Sequence, residues 1–126
     1  MPRMTIKSNV YISKQKKLEM FESMKKVISA IPYENGDYLM ADFVGEADIM
    51  YGNSPEEPCA TIEFSLVPEV LEHVGPSYIE DALEGFTKIV SQSLKIPGDH
   101  IFALLYHAPI WALNGVNIEQ TFLKFN

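Results

Sequence analysis

The stretch Cys59-Ala60-Thr61-Ile62-Glu63-Phe64-Ser65-Leu66-Val67 decides the fold. Ile62, Phe64 and Leu66 alternate with Thr61, Glu63 and Ser65, which is the two-residue period of a strand with one buried face. Pro68 ends the run. Beyond it, Tyr78, Ala82, Leu83, Phe86, Ile89, Val90 and Leu94 recur at three- and four-residue steps, the apolar stripe of a helix. Ser77 is placed to cap that helix, and Glu80 three residues on completes a capping-box pattern. Pro97-Gly98 stops it, and His100-Ile101-Phe102-Ala103-Leu104-Leu105-Tyr106 reads as a returning strand, apolar on both sides.

The same order stands earlier in the chain. Met4 to Val10 alternates as a strand, and Ser13 is placed to cap a helix whose stripe is Leu18, Phe21, Met24, Val27, Ile28 and Ile31. Pro32 disfavours helical geometry at Ile31, and Glu34-Asn35-Gly36-Asp37 supplies turn chemistry. Tyr38 to Val44 is the returning strand. Ser13 and Ser77 are 64 positions apart and Tyr38 and His100 are 62 apart, so the chain is two similar β-α-β halves. Asp48-Ile49-Met50-Tyr51 reads as a minor strand before the loop from Gly52 to Pro58.

The expected fold class is therefore α/β (α+β two-layer): two β-α-β repeats forming a four-stranded mixed sheet with two helices on one face, as a single domain over residues 1–126. The opposite sheet face would be uncovered. Apolar residues left there call for an oligomer or a ligand.

Composition narrows the function classes. A chain of 126 residues with 47% hydrophobic content buries enough surface to fold without staples. Cys59 is the only cysteine, which excludes an internal disulfide and a cysteine-based zinc cluster. The formal net charge is −7, and no Lys or Arg stands between Lys26 and Lys88. The basic residues from Lys14 to Lys26 share their segment with Glu19 and Glu22, so they read as a solvated helix face rather than a nucleic-acid footprint. No apolar run nears the ~20 residues needed to cross a bilayer, and no signal peptide opens the chain. The expectation is a cytoplasmic protein, or one secreted without a conventional signal, with no membrane insertion and no nucleic-acid partner. His73, His100 and His107 lie at no metal-ligand spacing with an acid cluster, so no metal and no cofactor is expected. Glu56-Glu57 reads as a solvated loop.

Pro2 after Met1, Ser8-Asn9-Val10, Glu57-Pro58-Cys59-Ala60, Tyr51-Gly52, Ser77-Tyr78, the run from Leu94 to Phe102 and Thr121-Phe122 together resemble the macrophage migration inhibitory factor (MIF) family of the tautomerase superfamily. The resemblance covers about Pro2 to Phe122. It implies a homotrimer whose sheets line a central barrel, a pocket at each subunit interface and keto–enol (phenylpyruvate-type) tautomerase chemistry. In animals and their parasites it also implies a cytokine-like role outside the cell, with a host cell-surface receptor as partner.

In such an enzyme Pro2, freed of Met1, is the catalytic base. A proline amino terminus is a secondary amine, and an apolar pocket lowers its pKa toward the working range. The other pocket positions fall at Tyr38, Val67, Phe102 and Leu104. Tyr38 keeps an aromatic edge and Val67 an aliphatic wall for a small keto or enol aromatic ligand. Phe102 stands where the family enzymes place an aromatic hydroxyl, and Leu104 where they place an amide. The lysine that binds a substrate carboxylate at the end of the first helix is replaced within Ser29-Ala30-Ile31-Pro32-Tyr33. Each lost bond to a charged substrate costs roughly 1.5–3 kcal/mol, so turnover of such substrates is expected to be weak or altered. Arg3 is a candidate replacement charge, although strand alternation turns it away from Pro2.

Some animal members carry Cys-x-x-Cys at the matching cysteine. Here Cys59-Ala60-Thr61-Ile62 has no resolving partner, so Cys59 is expected in the core and thiol–disulfide chemistry is not. Trp111 is either a packing or trimer-contact residue or a pocket wall. Asn114-Gly115 and Thr121-Phe122 are further apart than the family's pattern, which indicates a short insertion, and Leu123 to Asn126 extends past its usual end.

Overall fold

A computed structural model describes residues 1–117. Its main sheet holds β1 (Arg3–Ser8), β2 (Met40–Val44), β3 (Ala60–Leu66) and β4 (Ile101–His107) in the order β2-β1-β3-β4. β1 runs parallel to β2, β3 runs parallel to β4, and the halves join antiparallel through β1 and β3. The two β-α-β units and the mixed sheet are as read from the pattern.

One face of the sheet is the core. Met4, Ile6 and Ser8 of β1 and Ala60, Ile62, Phe64 and Leu66 of β3 are buried. They lie beneath α1 (Lys14–Ser29) and α3 (Pro76–Leu94), whose Met20, Met24, Ile28, Phe86 and Val90 fill the same cluster. The Phe64 and Phe86 rings meet edge to face, 4.8 Å between centroids. Ser13 caps α1 as expected, its hydroxyl accepting from the Lys16 N–H at 3.2 Å. The other face is open. Register aligns three rows across it: Met40-Arg3-Ser65-Tyr106, Asp42-Thr5-Glu63-Leu104 and Val44-Lys7-Thr61-Phe102.

Several elements differ from the expectation. Leu18 is 58% exposed while Met20 is buried, because Leu18 lies about 120° around the helix from Met24. Asp48 to Tyr51 forms no strand; Tyr51 makes an isolated bridge to Ser54. Pro68 does not merely end β3. It opens a short helix, α2 (Pro68–His73), where its fixed φ and missing N–H suit the first position. α3 begins at Pro76 behind Gly75 with no side-chain cap, so Ser77 lies inside the first turn and Tyr78 is exposed. Asn114-Gly115, both at positive φ, turn a small hairpin of β5 (Ala112–Leu113) and β6 (Val116–Asn117). Thr121-Phe122 and Leu123 to Asn126 lie outside the described residues.

Two of the sequence motifs hold each other. The Ser8 hydroxyl donates to the Cys59 carbonyl at 2.8 Å, and the Asn9 side chain bonds both the Cys59 N–H and the Glu57 carbonyl at 2.9 Å. They fix the far end of the β1–β3 pair.

Candidate functional site

Pro2 precedes β1 directly, and its carbonyl accepts from the Met40 N–H at 3.2 Å, which ties it to β2. It faces a cavity of about 240 Å³ that Tyr38, Met40, Trp111 and Leu113 wall on their side. This lining is mostly apolar, with a phenol at one edge. Tyr38 is half exposed and closes the 3-10 turn Gly36–Tyr38. That turn is seated against α1: the Gly36 N–H donates to the Ser29 hydroxyl at 2.9 Å, and a Cβ on Gly36 would overlap the Lys25 backbone carbonyl. Asn35 caps the turn, its side chain accepting from the Asp37 N–H at 2.9 Å. Trp111 both walls the cavity and packs against the core, so its two sequence readings coexist.

A buried acid lies against Met1, one of the residues that line this cavity. Glu34, read in the sequence only as turn chemistry, is turned inward with no exposed side-chain surface, and both its oxygens accept from the Met1 amino group, at 2.8 and 3.1 Å. Burial pushes the Glu34 carboxyl above the usual range; the hydrogen bonds and charge of the Met1 ammonium pull it back only in part. Tyr33, at φ 68°, makes the reversal that brings Glu34 round. The sequence places two acids, Glu34 and Asp37, between Tyr33 and Tyr38 with no basic residue among them, and does not distinguish the one that turns inward.

Arg3 touches the cavity rim, but its guanidinium pairs with Asp42 at 2.7 Å on the open sheet face. Burial raises the Asp42 carboxyl, and the Thr5 hydroxyl, 2.7 Å away, together with Arg3 more than reverses that, holding it below the ordinary value. With Met1 in place the Pro2 nitrogen is an amide and carries no basic lone pair.

Pro2 and Tyr38 are thus brought together. Val67 lies at the same end of the sheet, just past β3, but is buried in the core rather than lining the cavity. Phe102 and Leu104 are elsewhere on the chain. Phe102 pairs with Thr61, which pairs with Lys7, so it lies five residues along and two strands across from Pro2, roughly 17 Å along and 10 Å sideways. It is 58% exposed beside a second cavity of about 150 Å³, its ring edge-on to Tyr51, which stacks on His100 at 4.4 Å. Leu104 is 40% exposed on the open face. Cys59 is buried and burial raises its thiol pKa, which leaves it unreactive. The His100 ring bonds the Pro58 carbonyl at 3.1 Å, that of His73 the Glu69 carbonyl at 2.7 Å, and His107 falls in β4. Among the described residues no group of three His, Cys, Asp or Glu is arranged to hold a metal, and no helix is long and apolar enough to cross a membrane.

No family model and no curated protein sequence matches the chain. Solved structures do. MIF2 of Leishmania major superposes with a TM-score of 0.82 at 18% identity, covering 93% of this chain and 97% of that one. The MIF homologue of Prochlorococcus marinus gives 0.76 at 18% identity, covering 91% and 97%. Pt0534, solved after inactivation by 2-oxo-3-pentynoate, gives 0.75 at 12% identity, covering 94% and 98%. The chain has the fold of MIF and the tautomerase superfamily.

Proposed function

We propose that this protein is a MIF-like homotrimer of tautomerase ancestry, in which Pro2, once freed of Met1, is a weak keto–enol base at a pocket on the subunit seam. The observation that carries this reading is Pro2 at the mouth of a largely apolar cavity with Tyr38 and Trp111 on its walls, at the start of a MIF-fold sheet. The Pro2 nitrogen takes a proton from the carbon beside a ketone as the C=C bond of the enol forms and the C=O π electrons move to oxygen, and the Pro2 ammonium then gives that proton to the oxygen, which regenerates the amine. Phe102 and Leu104 sit too far from Pro2 to serve it within one chain, so they join the pocket only from a second copy. The open sheet face, with Met40, Leu104 and Tyr106 exposed, is the surface such copies would cover.

Weak or altered turnover follows from the pocket's chemistry. Phe102 and Leu104 offer no hydrogen bond, and Ser29 to Tyr33, at the end of α1, hold no cation for a carboxylate-bearing substrate. Met1-free protein should form trimers by sedimentation and turn over a phenylpyruvate-type ketone slowly, with Pro2→Gly slower still. Equal rates in the two would remove Pro2 from the chemistry.

A second reading is a secreted, cytokine-like protein without significant catalysis, favoured by the loss of polar anchors. It requires release from the cytoplasm by a non-classical route. Failure to bind the cell-surface receptor of the animal cytokine would count against it.

A further inference from the structure

Glu34 is a fully buried carboxylate whose cation is the chain's own amino group. The reading of Pro2 as a base requires Met1 to be gone, and Met1 takes that cation with it. Adjacent backbone nitrogens lie roughly 3–3.6 Å apart, so the new Pro2 amine would start within about 6.5 Å of the Glu34 oxygens. The other charges near the cavity are already committed. Arg3 of β1 pairs with Asp42 of β2, and Asp37 of the 3-10 turn pairs with Lys25 of α1 at 3.5 Å. Tyr38 contributes a phenol, and Met40, Trp111 and Leu113 bring no charge. A carboxylate removed from water draws a cation to it, and the Pro2 ammonium is the nearest candidate.

We propose that Glu34 is a positioning residue for the tautomerase site: it is the counter-ion of whichever amino terminus the site contains, holds the Pro2 amine protonated, and turns the pocket against carboxylate-bearing substrates. The proposal rests on the reading of Pro2 as the base and gives that site its substrate class, uncharged carbonyl compounds. The free amine forms only as pH rises, so turnover climbs toward alkaline pH. A substrate anion meets a Pro2 charge already neutralised by Glu34.

The test uses full-length Met1-free protein with ¹⁵N-labelled proline. The Pro2 nitrogen is titrated by NMR in the wild type, Glu34→Gln and Glu34→Asp. Pro2 should titrate at least about one pH unit higher in the wild type than in Glu34→Gln, with Glu34→Asp close to the wild type. Equal titration in all three overturns the proposal. A measurement in the wild type alone covers a Glu34→Gln chain that does not fold. There the Glu34 carboxyl carbon and the Pro2 nitrogen should each register the other's titration step, and two independent steps overturn the pairing. Phenylacetate should bind Glu34→Gln about ten-fold more tightly than the wild type at neutral pH, while an unchanged affinity contradicts the selectivity. These readouts do not depend on turnover. An inactive protein with an upshifted Pro2 would sink the enzyme reading and leave the pairing standing.

Discussion

Replacing Gly36 by alanine tests how the site is built. Gly36 has an ordinary backbone conformation, so alanine by itself would stabilise the chain by about 0.4–1 kcal/mol through the unfolded state. Its new Cβ, however, would run into the carbonyl oxygen, carbonyl carbon and Cα of Lys25, all backbone atoms of α1. A helix interior cannot yield at those atoms without breaking its own ladder, so the 3-10 turn must lift away. Lifting costs the bond from the Gly36 N–H to the Ser29 hydroxyl, about 1 kcal/mol, and overpacking adds about 1–3 kcal/mol. The net loss for Gly36→Ala is therefore about 1–3.5 kcal/mol, read from urea unfolding followed by circular dichroism. Tyr38, two residues on, moves with the turn, so ligand affinity at the Pro2 cavity should fall as well. An unchanged or raised midpoint, with ligand affinity intact, would refute the account of how the turn is seated.

Phe86→Ala removes the ring that Phe64 packs against in the core and should cost about 3–5 kcal/mol in the same unfolding assay; less than 1 kcal/mol would mean that α3 does not close the core as described. Glu34 predicts an unusual pH dependence. Its folded pKa is raised, so the native state binds more protons than the unfolded one, and its contribution is fully present below the ordinary value of 4.5 and lost as pH rises through the folded value. The stability of the wild type relative to Glu34→Gln should thus decline from acid toward neutral pH, and a rise over that window would contradict the net burial cost. Cys59 should react with a disulfide reagent only at the rate of unfolding, whereas prompt labelling of the native protein would contradict its burial.

What the sequence shows of this fold depends on how much of each pattern one neighbour dictates. β3 is legible because one face is buried and the other open, and Phe64 and Thr61 record that directly. The stripe of α1 is legible in outline only, since Leu18 is as apolar as Met20 and only the packed sheet distinguishes them. Pro68 is compatible with the end of a strand and with the first turn of a helix, and here it serves both. Gly75-Pro76 outcompetes Ser77 as a helix start because proline needs no cap for its missing N–H. Pro2 and Tyr38 could be placed together because the resemblance and the β1–β2 pairing agree. Glu34 could not, because turn-forming composition says nothing about which way a carboxylate points. Phe102 and Leu104 were not legible as outward-facing, because the run from His100 to Tyr106 is apolar on both sides and alternation cannot tell the faces apart.

The most direct test of the central claim is the initial rate of ketone–enol exchange, on one phenylpyruvate-type substrate, by two preparations that differ only in Met1. Protein that begins at Pro2 should show slow turnover that rises with pH, and protein that retains Met1 should show none above the uncatalysed rate, because its Pro2 nitrogen is an amide. Equal rates from the two preparations would contradict the account.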